Sequence, residues 1–363
     1  MASRYPESKR ARFPWVHSIV PVAKRLVRMI LGILVLAVSA EANPYLNKPG
    51  DKPVTSRIAT CAVSGGFAHL YAALDNGLFE KYGIKMEHVY IRGSSPAMAA
   101  LAASEIQFLY CAAEATIPAL ASGADAKLVA APLVKLPYVL VTRKEIKRPE
   151  DLRGKALGVS RPGDLSARLS RAVVKKFNLT DSVEIRPIGG SQSERYQAMV
   201  TNVVQGVIVT PPLDVRARND GFNVLYRLVD LDLPFIYSSL HAGTKILRER
   251  PEIVQRVVAT FAEAIQFMER HPNKGRIAIG RAMRLKDEEV LRVAYNVYAK
   301  EIVDRRMIVP PAAVAESVEQ LRAAGAQIRK RPEEIYDNSF VNNLEKSGFL
   351  KELWGDEPPR PSR

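Results

Sequence analysis

Thiols and imidazoles are scarce in this chain. Two cysteines, Cys61 and Cys111, and five histidines, His17, His69, His88, His241 and His271, are scattered through 363 residues. No paired CxxC, no HExxH and no other metal-ligand spacing occurs, so no metal site is expected. The phosphate-gripping GxxxxGK[ST] loop and the GxSxG elbow are missing too, so neither a nucleotide cofactor nor serine-hydrolase chemistry is expected. No apolar run reaches the roughly 20 residues that span a bilayer. Acidic residues are the minority, 38 Asp and Glu against 53 Lys and Arg, for a formal net charge of +15. The basic residues are dispersed, without aromatic interleaving or a recognition-helix motif, which argues against nucleic acid as a partner.

What is present begins with a leader. Lys9, Arg10, Arg12, Lys24, Arg25 and Arg28 precede the apolar run "MILGILVLAVSA" and a small-residue exit at Ala40 or Ala42. That order reads as a secretory signal peptide over residues 1–42, directing the chain to the periplasm. No cysteine follows the run, so a lipoprotein is not expected. Residues 1–42 hold 7 Lys/Arg and 2 Asp/Glu, so their removal takes the charge from +15 to +10. A positive balance attracts anions at long range, although it also fits a merely basic surface. Export permits a disulfide. Both cysteines nevertheless sit in strand-like runs, "RIATCAVS" and "IQFLYCAA", and read as buried free thiols.

The body of the chain contains a repeat. Residues 57–116 read strand, helix, strand, helix, strand, with Phe67, Leu70, Tyr71, Leu74 and Leu78 on one helical face and Gly83 ending the helix. Residues 154–212 repeat the order, with Leu165, Leu169, Val173 and Phe177 as the buried face. Val63-Ser64 and Val159-Ser160 occupy matching strand exits. Alternating strands and helices imply an α/β fold with parallel-type sheets and right-handed crossovers. The segments between and after the repeats contain strand-like runs, which suggests a second lobe inserted into the first through a two-strand hinge. The expected limits are 54–135 with 236–350 for lobe 1 and 136–235 for lobe 2. After residue 245 the pattern is helical. A stripe runs through Ile253, Val257, Phe261 and Ile265, and Val290, Val293, Ala294 and Val297 read as a core face. The Pro-rich end, residues 351–363, is expected to be a disordered tail.

In open α/β sheets, ligands sit beyond the carboxyl ends of the strands, where helix starts present free N–H groups. The candidate contacts are Ser64, Gly65, Gly66 and Phe67; Arg92; Glu114 and Thr116; Ser160, Arg161, Gly163 and Asp164; Arg195; and Thr210 and Pro211. Each has a plainer reading. Ser94, Ser160, Asp164 and Ser191 serve equally well as helix caps. Phe67 fits a core as well as a ligand platform. Arg92 and Arg195 fit loop ties, and Arg161 can face either cleft or solvent. Glu114 near a cleft would disfavour a bare anion or hold a cationic group. Cys61 with His88 and Arg92 is a conceivable nucleophile and its partners.

"GLFEKYGI" with its following strand, "AALAASEIQF", "ALASGAD" and "PEDLRGKALGVSRPGD" resemble the substrate-binding proteins of nitrate/sulfonate/taurine ABC transporters, the SsuA/THI5-like or NMT1-like family. The likeness extends over roughly residues 56–350 and includes "RPEIVQRVVATFAEAIQF" and "YDNSFVNNLEKSGFL". It implies a type II periplasmic-binding-protein fold whose lobes close on a small ligand. It also implies a monomer without a cofactor that docks on a membrane permease with its ATPase. The family's usual "G(D/E)VDA" is here "NVVQGVI", which lacks the acidic residue. Some relatives of this fold are enzymes. A sulfinate desulfinase using Cys61 with His88 and Arg92 is the alternative reading, and a sensory binding protein without transport is another.

Overall fold

A computed structural model of the protein describes residues 43–355 apart from Pro49, Gly163 and Asp232. The expected leader, the candidate contact Gly163 and residues 356–363 lie outside the described residues. Every element named below belongs to one contact unit that starts at Tyr45. The strands are β1 (Val54–Thr60), β2 (Ile84–Tyr90), β3 (Phe108–Cys111), β4 (Ala126–Leu133), β5 (Val139–Thr142), β6 (Lys155–Val159), β7 (Val183–Pro187), β8 (Gly206–Val209), β9 (Asn223–Arg227) and β10 (Ser238–Gly243).

Two 5-stranded sheets carry the two lobes, in the orders β2-β1-β3-β10-β4 and β7-β6-β8-β5-β9. The repeat explains both. β1 pairs in parallel with β2 and β3, and β6 pairs in parallel with β7 and β8. Each lobe then receives one antiparallel strand from chain that has crossed over. β5 enters the second sheet between β8 and β9, and β10 enters the first between β3 and β4. The sheets are therefore mixed rather than wholly parallel, because a hinge strand arrives from the opposite direction to the βαβ strands. Helices cover both faces, so β3, β5, β8 and β10 are buried along their whole length.

The predicted helix after β1 is broken in two. Gly65–Phe67 forms a 3₁₀ turn, Ala68–Asp75 is helical, and Gly77 at φ 67° interrupts before Leu78–Lys81. A left-handed residue ends a helix, and glycine takes it without strain. In the C-terminal region the stripe Ile253, Val257, Phe261 and Ile265 is buried on the helix Pro251–Arg270. The next expected face is shifted. Leu291, Ala294, Tyr295 and Tyr298 are buried, while Val290, Val293 and Val297 are only half-buried. A π-helical turn at Val297–Glu301 follows. The first residues of the expected tail are structured instead. Phe349–Trp354 is helical, Trp354 Nε1 donates to Glu269 Oε2 at 2.8 Å, and the Leu353 carbonyl accepts from Arg270.

Candidate functional site

The exits of β1, β3, β6 and β8 converge where the lobes meet, together with the Leu136–Tyr138 connector. A cavity of about 470 Å³ there is lined by Ser64, Gly65 and Phe67 from the first lobe and by Gln192, Thr210 and Pro211 from the second. A smaller cavity of about 260 Å³ shares Tyr138 and Gln192 with it and adds Ser160, Asp164, Ser166 and Arg195. Together they form one inter-lobe cleft.

Its first wall is aromatic. Ser64 caps the Gly65–Phe67 turn by accepting from Gly66 N at 3.1 Å, and its Oγ meets Tyr237 Oη at 3.2 Å. Tyr237 stacks on Tyr298 with ring centroids 5.8 Å apart and meets Tyr138 edge-on at 6.2 Å. Burial pushes the Tyr138 and Tyr298 phenols up, so both remain protonated donors. Gly65 and Gly66 serve close approach. A Cβ at Gly65 would overlap the Tyr298 ring, and one at Gly66 would lie 2.6 Å from Tyr237 Cε1. Gly65→Ala is therefore expected to displace Tyr298 and destabilise the fold by about 1–3 kcal/mol, read as a fall in Tm. An unchanged Tm would remove that role. Phe67 satisfies both readings. It is 3% exposed, packs against Tyr110 at 5.4 Å, and lines the cavity.

The second wall carries the charge. Arg195 is 7% exposed. One of its guanidinium nitrogens, Nη1, donates to the Gly190 carbonyl at 2.7 Å, while Nε is buried without a partner. Burial pulls this guanidinium below the usual arginine range, a measure of how little solvates it. Gln192 Oε1 accepts from Thr210 N at 2.9 Å and from Thr210 Oγ1 at 3.3 Å. The Gln192 amide nitrogen is thereby turned out as a donor. Ser160 donates to Asp164 Oδ2 at 2.7 Å and meets Ser166 Oγ at 2.9 Å, so these groups hold one another. Asp164 stands at the N-cap of Leu165–Lys176 without a side-chain cap bond. Ser191 does cap its helix, within a capping box completed by Glu194.

Four expected contacts are not where the sequence suggested. Arg92 and Arg161 are exposed and line neither cavity. Thr116 is fully buried on the inner face of the helix Ala113–Ala121, and its Oγ1 bonds His241 Nε2 at 2.8 Å. Glu114 lines neither cavity and pairs with Arg168 of the other lobe at 2.9 Å, an ion pair across the lobes. Tyr138, Tyr237 and Tyr298 went unnoticed in sequence, since they come from two connectors and a distant helix with no shared motif.

The free-thiol expectation is overturned as well. Cys61 is bonded to Cys111, with Cα atoms 5.6 Å apart. β1 and β3 are adjacent parallel strands in the register Thr60↔Tyr110, so the next residues of each face one another. No thiolate is available at Cys61. His88 is occupied with Thr60 Oγ1 at 2.9 Å, and Arg92 points to solvent. Among the described residues, no His/Cys/Asp/Glu cluster suits a metal ion and no helix is long and apolar enough to cross a membrane.

Two α/β lobes of this strand order, joined by crossing strands over a cleft, define the periplasmic binding protein fold. The chain belongs to the NMT1/THI5-like family, whose model matches residues 64–275. Among solved structures it is similar to the periplasmic aliphatic sulphonate binding protein SsuA from Escherichia coli. Identity there is 19% over 80% of this chain and 99% of that chain, with a TM-score of 0.63. A putative sulfonate ABC transporter periplasmic sulfonate-binding protein SsuA from Methylobacillus flagellatus KT is 18% identical over 84% of this chain and 97% of that one, with a TM-score of 0.64. A DSZB variant in complex with biphenyl-2-sulfinic acid shares the fold at 14% identity, covering 80% of this chain and 99% of that one at a TM-score of 0.59. Among curated proteins none matches this chain.

Proposed function

We propose that this protein is an exported solute-binding component of an ABC importer. It captures a small organic anion, a sulfonate or aromatic carboxylate, between its lobes and delivers it to a membrane permease and ATPase. The observation that carries the reading is Arg195, a buried cation whose Nε lacks a partner on the wall of the cleft. A charged, desolvated donor of this kind gains most from an anion. Tyr138, Tyr237, Tyr298 and Phe67 give the rest of the ligand an aromatic surround. The lobes divide at 54–135 with 236–350 and at 136–235, and the Glu114–Arg168 pair supports their closed arrangement. A ligand touching both walls favours closure through its contacts in the closed state alone. The Cys61–Cys111 bond suits an oxidising compartment, in keeping with the leader read from residues 1–42.

A thermal-shift screen over alkyl and aryl sulfonates, aromatic carboxylates, nitrate and pyrimidines tests the class. At a concentration about 100-fold above Kd, a ligand binding only the folded state adds about 2.7 kcal/mol, a rise in Tm of several degrees. The bound compound is recovered chemically unchanged, and small-angle scattering shows a more compact protein. A screen with no stabilising anion, or turnover of a sulfinate, would sink this reading.

A further inference from the structure

Tyr138 and Gln192 line both the larger cavity of the cleft and the smaller one, and so form the neck between them. The two sides of that neck differ in chemistry. Phe67, Tyr237 and Tyr298 give the larger side its rings, whereas Arg195 and Asp164 give the smaller side its charges. The neck itself presents two neutral donors. Gln192 commits Oε1 to Thr210 N and Oγ1, and its Nε2 has no hydrogen-bond partner among the described residues. Tyr138 Oη has none there either. Both side chains are half-buried, and both donors keep solvent-accessible surface. Burial raises the Tyr138 phenol and the Arg195 charge draws it down, which sets the hydroxyl within reach of that charge. Gln192 and Arg195 stand three residues apart on the helix Gln192–Val200 and so share a face. Asp164 accepts from Ser160, and its charge acts on Arg195.

We infer that the ligand of the cleft is an aryl monoacid, with its ring among the tyrosines and its acid oxygens at the neck, held by Tyr138 Oη and Gln192 Nε2. The inference rests on the proposed capture of an organic anion and narrows it. An alkyl or inorganic anion occupies the neck alone and forgoes the apolar burial that the ring-lined side offers. That side, about 470 Å³, falls within the range of pockets that enclose drug-sized ligands and has room for two fused rings. A second negative charge on the ligand meets Asp164, so dianions are disfavoured. Tyr138 and Gln192 come from a connector and from the second lobe, so an acid group between them touches both sides of the hinge.

Naphthalene-2-sulfonate and 2-naphthoate test the inference against methanesulfonate and acetate, the same acid groups without the ring. Calorimetric titration of the full mature chain is expected to show the better naphthyl acid binding at least about 100-fold more tightly than its methyl counterpart. Tyr138→Phe removes a hydroxyl that no protein group uses, so it is expected to keep the wild-type Tm and to bind the naphthyl acid about tenfold more weakly. Gln192→Glu keeps an acceptor for Thr210 and puts a carboxylate oxygen where the amide donor stood, so it is expected to weaken binding by about 100-fold or more. A methyl acid that binds as tightly as its naphthyl counterpart overturns the inference and leaves anion capture standing. Full affinity in either variant likewise overturns it, since the acid group then lies away from the neck. No binding of any of the four probes up to about 10 mM overturns both the inference and the reading beneath it.

Discussion

Reduction of the Cys61–Cys111 bond is expected to lower the unfolding free energy by about 4 kcal/mol. The bond spans a sequence separation of 50, and a loop of that size loses much of its freedom in the unfolded chain. The loop holds β2 and the helices on either side of it. Cys61 also lines the cleft beside Ala62 and Val63, so its release loosens the wall that carries Ser64. Urea unfolding with and without reductant, and of the Cys61→Ser/Cys111→Ser double variant, measures the effect. An unchanged midpoint would contradict it.

The second large effect is acid sensitivity. His69 is fully buried with neither ring nitrogen bonded, and burial pulls its pKa down to about 4. His241 is pulled to about 4 by the same cause, against hydrogen bonds that act the other way. Its Nδ1–H donates to the Leu109 carbonyl at 3.0 Å, which leaves Nε2 as an acceptor for Thr116. Both rings are thus neutral in the fold, whereas the unfolded chain takes up protons near pH 6.5. The unfolded state binds more protons throughout that window, so stability is whole above about pH 6.5 and is lost as pH falls toward 4. The full loss is about 3 kcal/mol for each histidine. Burial also lowers His88, which adds in the same direction. Asp214 and Asp304, whose carboxyls burial pushes up, hold protons that the unfolded chain releases and so offset part of the loss at the acid end. Urea midpoints between about pH 7.5 and pH 5 read the slope, and His69→Leu is expected to flatten it. A level profile, or the same slope in His69→Leu, would contradict the assignment.

The fold was legible because its signal is local and repeated. Val63-Ser64 follows β1 and Val159-Ser160 stands at the end of β6, and these two strands hold the same place in their sheets. Periodicity of 2 and 3.6 residues carries that much without tertiary knowledge. The site was legible only by position along the chain. Strand exits were found, but the side of the turn on which a side chain lies depends on helix phase and on the facing lobe. Arg161 and Arg195 are alike in sequence. One is exposed, and the other is buried beside Tyr138, which comes from a connector far away in the chain. The disulfide was missed for a related reason. The opposition of Cys61 and Cys111 follows from β1 and β3 being neighbours, and strand order is not written in either strand.

Arg195 is therefore the sharpest point at which to probe the proposed capture of an organic anion. The decisive measurement is calorimetric titration of the best anion from the stability screen into wild type, Arg195→Ala and Arg161→Ala. The buried arginine predicts a loss of affinity of about 100-fold in Arg195→Ala and none in Arg161→Ala. Equal affinity in all three proteins would contradict it.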